Sequence, residues 1–203
     1  MVLLIQCQNE ASAFDWMAFA KDIAPIVIGF AALFFSWYQL KSSETQKKNE
    51  NRRNEIYKKL NDFYGPYIQL RKKSHILYQK FQKKYRAKDV NFSTLRYLLK
   101  GQSFDENENA LLKAIIDIGT KCEDLIQKNA GLIDDFITEN DDDLRNNLIP
   151  KASTHYLLLR LAYEGNLKGD IENFLDSSFP KEIDAKLEDR KIQLENELNK
   201  LNS

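Results

Sequence analysis

The sequence predicts an all-α protein that has a single N-terminal transmembrane helix, a long juxtamembrane helix and a cytoplasmic helical bundle. Three observations support this class: an uncharged apolar run near the N-terminus, apolar residues at helical spacing afterwards, and no alternating run of strand length. Seven glycines and four prolines in 203 residues also argue against a many-turned β architecture. We expect an extracytoplasmic segment at 1–22, the span at 23–40, a basic stalk at 41–64 and the cytoplasmic domain at 65–203.

The apolar run at residues 23–40 has the sequence IAPIVIGFAALFFSWYQL, which is 18 residues without a charge. As a helix it covers about 27 Å, close to the ~30 Å thickness of the hydrocarbon core. Trp16 and the pair Trp37–Tyr38 are separated by a helical length of about 31 Å, so they are expected at the two membrane interfaces. The alternatives are a buried core helix and a cleaved signal peptide, but the first twenty residues contain no basic n-region.

Charge is sorted along the chain, although 30 basic and 30 acidic residues give a formal net charge of zero. Residues 1–40 contain one base and three acids, which is a net charge of −2. Residues 41–100 contain 17 bases and five acids, a net of +12, and residues 101–203 contain 12 bases and 22 acids, a net of −10. Such asymmetry is typical of a charged binding surface or of an internal charge match.

The charges that flank the apolar run predict its orientation. One lysine, Lys21, lies shortly before the run, and seven cations follow it within about twenty residues: Lys41, Lys47, Lys48, Arg52, Arg53, Lys58 and Lys59. The positive-inside rule therefore puts the C-terminal side in the cytoplasm and the N-terminus outside. Cys7 and Cys122 then lie on opposite sides and cannot pair, so Cys122 is expected to be a small helix-packing residue.

The first half of the cytoplasmic part predicts four helices. The stalk at 42–64 becomes amphipathic near Ile56 and can continue the membrane helix. Gly65–Pro66 should interrupt it, and a second helix is expected over 67–86, with Ser74 as a gap in its apolar stripe. Ser93 can cap a brief helix, a break follows at 101–105, and the clearest helix covers 106–129. Gly119 near its middle indicates close packing.

The second half predicts shorter elements and one long final helix. We expect a helical segment at 132–137, a loop at 139–143, and a break at Pro150 that separates 144–149 from an apolar helix at 154–163. Glycines mark the next loop, and a short helical turn is expected at 170–175. The last helix should cover 181–201, where Arg190 interrupts the apolar stripe and so weakens the case for a long coiled coil.

Motifs that carry chemistry are scarce. His75 and His155 lack metal-ligand spacing, and Arg71 and His75 are separated by three residues where HEPN-type ribonucleases have four to six. An acidic cluster at residues 134–143 fails the Ca²⁺-loop pattern, which favours a solvated loop. We therefore predict no enzyme, no catalytic residue, no metal site and no cofactor. An all-α nuclease would require Arg71, His75 and an acid to converge in one cleft.

The basic block is the most informative feature of the cytoplasmic part. The positive-inside rule explains the cations of this block that lie nearest the membrane. These cations can also bind anionic lipid, and each then contributes about 1 kcal/mol to binding. The distal cations have two explanations: they dock against the acidic half of the same chain, which we favour, or they bind an acidic partner such as nucleic acid. The candidate surface consists of Lys47, Lys48, Arg52, Arg53, Arg71, Lys72, Lys73, Lys80, Lys83 and Lys84, and the candidate membrane-interface residues are Trp16, Trp37, Tyr38 and Lys41.

The plan of one N-terminal span, a basic linker and the stretch NDFYGPYIQLRKKSHILYQKF (61–81) resembles uncharacterised single-pass bacterial membrane proteins. In these a Tyr-Gly-Pro break precedes an amphipathic helix with a Ser-x-x-Leu-Tyr pattern, here residues 74–78. The resemblance covers about 60 residues. It implies a role similar to that of accessory or effector components of anti-phage systems, and it identifies no site residue.

Together these features predict a membrane-anchored, non-enzymatic module that tethers or senses a cytoplasmic partner, in phage defence if the resemblance holds. The expected partners are the lipid bilayer, a protein or a second copy of the chain, and anionic lipid, with nucleic acid disfavoured. The alternative is a membrane-perturbing effector whose span oligomerises when a cytoplasmic trigger binds. Full activity after replacement of residues 23–40 by an unrelated span would contradict that alternative.

Overall fold

The chain folds into helices. A computed structural model describes residues 16–134, 144–169 and 178–202, and the side chains of residues 16–24 and 26 lie outside the description. Short π-helical turns at Leu60–Tyr64 and Leu144–Leu148 and a 3₁₀ turn at Ala130–Leu132 lie between the α-helices. Those described residues include no strand, so the all-α prediction is confirmed. The helices are α1 (Trp16–Lys59), α2 (Gly65–Arg86), α3 (Thr94–Leu99), α4 (Glu106–Lys128), α5 (Ile149–Tyr163) and α6 (Ile183–Asn202).

The chain divides into two units, Met1–Glu50 and Asn51–Ser203. In the first unit the large apolar side chains of residues 27–40 are exposed, Phe30 by 70% and Leu33 by 69%. Among the residues described, no helix combines the length and the apolar character needed to cross a membrane. The predicted span begins with residues whose side chains lie outside the description, and residues 1–15 of the predicted extracytoplasmic segment lie outside it entirely.

The junction before α2 is a π-helical turn rather than the break that Gly65–Pro66 predicts. The N–H of Gly65 donates to the carbonyl of Leu60, which widens the helix by one residue without ending it. A Cβ on Gly65 would lie 2.8 Å from the Leu60 carbonyl oxygen, so the turn requires glycine. Pro66 falls in the first turn of α2, where its missing N–H needs no acceptor. Pro66 therefore lies in the first turn of α2 and does not separate two helices.

The core of the second unit forms where α2, α4, α5 and α6 pack together. Tyr64 and Tyr67 are fully buried beside Leu187 and Leu194 of α6 and Cys122 of α4. Burial raises the pKa of the Cys122 thiol to about 11, so this side chain stays protonated and packs as a small apolar group. The apolar residues whose helical spacing predicted α4 and α6 thus form the stripe that each of these helices buries in the core.

Aromatic rings form a second cluster at the other end of α2. Phe81 is buried, its ring centroid lies 5.0 Å from that of Phe104, and Tyr85 stacks on Phe92 with ring centroids 4.7 Å apart. Tyr97 stacks on Phe104 at 4.5 Å. These rings pack against the apolar face of α4, so the short α3 and its flanking loops are held by aromatic contacts rather than by their length.

Capping residues define the starts of α3 and α4, and of the two caps that of Ser93 was predicted. The Ser93 hydroxyl accepts from the backbone N–H of Arg96 at the start of α3, and the Asp105 carboxylate accepts from that of Glu108 at the start of α4. Such caps satisfy N–H groups that have no partner within the helix. Gly101 has a φ of +71° in the predicted break between these helices, a conformation that favours glycine.

The predictions for the stretch before α5 are wrong in two places. Ile133 and Asp134 are not helical, although a helical segment was expected over 132–137. α5 begins at Ile149, five residues earlier than expected, and contains Pro150 in its first turn, where proline is tolerated. The expected elements at 135–143 and 170–175 lie outside the described residues.

Asp134 connects three parts of the second unit through ion pairs. Its carboxylate accepts from Lys59 Nζ at 2.6 Å, from Arg190 Nε at 2.9 Å and from the Tyr64 hydroxyl at 3.1 Å. Burial alone would raise the pKa of Asp134, but the hydrogen bonds from Arg190 and Lys59 outweigh it and hold this pKa below its usual value. The solvated-loop interpretation is therefore wrong for this acid, and Arg190 interrupts the stripe of α6 because it reaches Asp134.

We expect the substitution Gly119→Ala to lower the free energy of unfolding by about 1–3 kcal/mol, because the new methyl group overpacks the contact between α4 and α5. A Cβ on Gly119 would lie 2.8 Å from Cδ1 of Tyr156, whereas a Cβ on Gly131 would meet nothing within 4 Å. Gly131→Ala is therefore the matched control. Urea denaturation of the full chain in detergent, followed by circular dichroism, measures both; equal effects would contradict close packing at Gly119.

We expect Asp134→Asn to cost about 2 kcal/mol of unfolding free energy at pH 7, because two charge-assisted hydrogen bonds are lost. The pKa of Asp134 is lower in the folded state than its value of about 3.9 in the unfolded chain. The ionised carboxylate therefore stabilises the folded state at pH values above about 3.9, and this stabilisation is lost as the pH falls through the lowered pKa. The difference between the two proteins should thus shrink below about pH 4. Asp62→Asn, at an exposed position, is the control; a pH-independent difference would contradict the pairing.

Candidate anion-binding cleft

Arg71 of α2 is a buried cation that contacts three neighbouring elements. Its Nε and one terminal nitrogen donate to the two carboxylate oxygens of Asp184, each at 2.8 Å, and its other terminal nitrogen donates to the Tyr156 hydroxyl at 2.8 Å. The Phe179 ring centroid lies 3.8 Å from the guanidinium carbon. α5, α6 and the segment before α6 are thereby positioned around one guanidinium group.

Protonation states in this arrangement are determined by burial and pairing. Burial alone would lower the pKa of Arg71, but the hydrogen bonds with Asp184 outweigh it, so the pKa lies above its usual value. Burial raises the pKa of the Tyr156 hydroxyl well above its usual value. Arg71 therefore stays charged and Tyr156 stays a neutral phenol at physiological pH.

Arg71 lies at the edge of a cleft of about 600 Å³ in the second unit. One wall of the cleft is a helical stripe of hydrogen-bonding side chains on α2, which recur every three or four residues and therefore share one face of the helix. This volume lies in the range typical of small-molecule sites. The stripe consists of Arg71, Ser74, His75, Tyr78, Gln82 and Arg86.

The other walls of the cleft are aromatic and apolar. Phe92 lies before α3, Tyr156 belongs to α5 and Phe179 lies in the segment before α6. Tyr156 is held in place by its contact with Gly119 and by its hydrogen bond from Arg71. Tyr156 is itself buried, so the flat surfaces on which a planar ligand group can stack belong to the partly exposed Phe92 and Phe179.

The cleft has an excess of positive charge among the residues described. Its side chains include four cations, Arg71, Arg86, Arg96 and Lys181, and one acid, Asp184, which Arg71 neutralises. Arg86, Arg96 and Lys181 are exposed, and the described part of the chain supplies no hydrogen bond or ion pair to their charged groups. The cleft is therefore complementary to an anion.

Both histidines of the chain line this cleft. Arg71, His75 and Asp184 also line it, which is the convergence that an all-α nuclease would require. The carboxylate of Asp184 is bound by Arg71, however, while a ring nitrogen of His75 lies 2.8 Å from the Gln79 side-chain nitrogen. Among the described residues His75 therefore has an amide neighbour and no hydrogen-bonded carboxylate, which is the partner that would orient it as a general base.

The predicted basic surface separates into paired and unpaired cations. Intramolecular docking is observed for five cations of the basic block: Arg52 pairs with Glu197, Lys59 with Asp134, Arg71 with Asp184, Lys72 with Glu188, and Lys84 with Asp105 and Glu108. All these acids belong to residues 101–203. The internal charge match favoured from the sequence is therefore present, and these pairs are structural.

Most of the remaining predicted residues whose side chains are described are exposed, and Arg53 is partly exposed. Arg53 donates to the Asn202 side chain at 3.4 Å. Trp37 and Tyr38 are exposed, and Lys41 Nζ lies 5.3 Å from the Trp37 ring centroid. The Trp16 side chain lies outside the description. Within the described residues no ion pair is seen for Lys47, Lys48, Lys73, Lys80 and Lys83.

Sequence reasoning missed Arg86, Arg96 and Lys181, and it noted of His155 only that it lacks metal-ligand spacing. One local signal was available: Ser74, described as a gap in the apolar stripe of α2, belongs to the polar stripe that lines the cleft. Arg96 and Lys181 offered no such signal, because the fold brings them to α2 from elsewhere in the chain. No group of three or more histidine, cysteine or acidic residues in the described part could hold a metal ion.

Neither a protein-family model, nor a curated protein, nor a solved structure matches this chain. The resemblance to single-pass bacterial membrane proteins therefore stays a prediction. The case for function comes from the side chains that the fold brings together.

Proposed function

We propose that this protein is a membrane-anchored, non-enzymatic sensor whose helical domain binds an anionic cytoplasmic ligand in the cleft. The observation that carries the proposal is the pair Arg86 and Arg96, two exposed arginines with no acidic partner in the described chain that line one aromatic cleft. Guanidinium groups match phosphate and carboxylate oxygens through paired hydrogen bonds. Two such groups that line one cleft favour the binding of an anion there.

Membrane anchoring is proposed for residues 23–40. The uncharged run and its length support it, as does the exposure of large apolar side chains, which within residues 27–40 includes Phe34 at 67% and Leu40 at 61%. Burying such surface in lipid is strongly favourable. Trp37 and Lys41, in cation–π contact, suit the boundary between lipid and water. The N-terminus would then lie outside a bacterial inner membrane and the helical domain in the cytoplasm.

Sensing is favoured over catalysis because the groups that could begin an acid–base relay have structural partners. Asp184 is bound by Arg71, and His75 lies beside Gln79. In this proposal the exposed Lys47 and Lys48 contact anionic lipid, and the exposed lysines of α2 contact an acidic surface of a protein partner or of a second copy. The resemblance suggests that the response belongs to anti-phage defence.

We expect alkaline phosphatase fused after Ser203 to be inactive in cells and a green fluorescent protein at the same position to fluoresce, because the positive-inside rule keeps that end in the cytoplasm. Deletion of residues 1–40 should move the fusion protein from the membrane fraction to the soluble fraction. The full-length fusion, which should resist an alkaline carbonate wash, is the control. An active phosphatase, or a full-length protein released by the wash, would refute the proposed anchoring.

We expect pyrophosphate at about 100 times its dissociation constant to raise the melting temperature of the full-length protein in detergent by about 5–10 °C. The double substitution Arg86→Gln, Arg96→Gln should remove this shift, because the anion loses both guanidinium partners. Lys83→Gln, Lys100→Gln is the matched control, since it removes two exposed lysines outside the cleft. Equal loss in both double variants would mean that the anion binds through general surface charge.

A further inference from the structure

We propose that the ligand of the cleft is a nucleotide, with its phosphate on Arg86 and Arg96 and its base against the aromatic walls. This inference rests on the proposed function and specifies the ligand class for the same site. Three features of the cleft support it: the unpaired arginines, the aromatic rings, and an amide with an unsatisfied oxygen.

The phosphate position follows from how the other arginines of the second unit are used. Arg52, Arg71 and Arg160 each pair with a carboxylate at 2.6–2.9 Å. Arg86 and Arg96 lack such a partner among the described residues and line the same cleft. They come from the end of α2 and from α3, so an anion held by both would bridge two elements. A phosphate group, with three terminal oxygens, can accept from both guanidinium groups together.

The position of the base follows from the rings. Tyr78, Phe92, Tyr156 and Phe179 line the cleft; Tyr156 is buried, and the other three rings are partly exposed. Phe92 is fixed by its stacking on Tyr85, and Phe179 by its contact with Arg71. Aromatic side chains held rigidly are the usual platform for nucleobases, because every base offers a flat face.

A polar group inside the cleft distinguishes a nucleotide from a simple anion. The side-chain oxygen of Gln82 is fully buried and accepts no hydrogen bond from the described residues. It belongs to the stripe of α2 between Tyr78 and Arg86. This oxygen is closed to solvent as it stands, so a ring N–H or an amino group on a base edge donates to it only after the Gln82 side chain turns towards the cleft; a deprotonated phosphate or carboxylate has no hydrogen to donate. The volume of about 600 Å³ also exceeds what inorganic phosphate would fill.

The test is isothermal titration calorimetry of the full-length protein in detergent with the four ribonucleoside 5′-monophosphates, the corresponding nucleosides, inorganic phosphate and pyrophosphate. We expect at least one nucleotide to bind ten-fold or more tightly than its nucleoside and than inorganic phosphate. Arg86→Gln, Arg96→Gln should weaken this nucleotide at least ten-fold, and Lys83→Gln, Lys100→Gln should leave it within two-fold.

Two further variants test the base separately from the phosphate. Phe92→Leu and Gln82→Leu should each weaken the nucleotide about ten-fold and leave pyrophosphate affinity unchanged. Gln82→Leu keeps a similar volume, so it serves if Phe92→Leu fails to fold, which a melting curve would reveal. Loss of both ligands in a folded Gln82→Leu variant would contradict the assigned position of the base.

The outcomes separate this inference from the function on which it rests. If pyrophosphate or inorganic phosphate binds through Arg86 and Arg96 as tightly as any nucleotide, the sensor proposal stands and the nucleotide assignment fails. If a single-stranded RNA of ten nucleotides binds more than ten-fold more tightly than every mononucleotide, the nucleotide assignment also fails, because the site then recognises a nucleic-acid strand rather than a single nucleotide. If no phosphate-containing probe binds, both proposals fail.

Discussion

A buried guanidinium group must find acceptors for its charge, and Arg71 meets this requirement in a way that organises the second unit. Its hydrogen bonds to Asp184 and Tyr156 determine where α6 and α5 lie relative to α2. Tyr156 in turn packs on Gly119 of α4, where a larger residue would not fit. An uncompensated charge in this position would cost several kcal/mol, so the helices are held to one arrangement, and the cleft is the space beside it.

The opposite charge blocks explain both the fold and its candidate site. Cations of residues 52–84 are matched by acids from residues 101–203, including the three-way contact of Asp134 with Lys59, Arg190 and Tyr64. Among the described residues several exposed lysines also stay unpaired, but the arginines Arg86 and Arg96 line one aromatic cleft, where their charges are available to a ligand.

Helix positions were predicted well where the signal is local, and less well at prolines. α4 and α6 matched within two residues because their apolar stripes repeat within one or two turns. The errors occurred at Pro66 and Pro150, which were expected to separate helices and instead lie in the first turns of α2 and α5. Proline is compatible with a first turn and incompatible with a helix interior, and which case applies depends on how the preceding π-helical turn packs.

The sequence by itself determined the helical class, the two charge blocks and the uncharged run at 23–40, because these are properties of neighbouring residues. Only the tertiary structure decided which cations are neutralised and which line a cleft. Arg71 and Asp184 are 113 positions apart, and Arg71 and Tyr156 are 85 apart. No local period encodes such pairs, since their proximity results from packing helices around one core. For the same reason Arg86, Arg96 and Lys181 become one site only when the chain is folded.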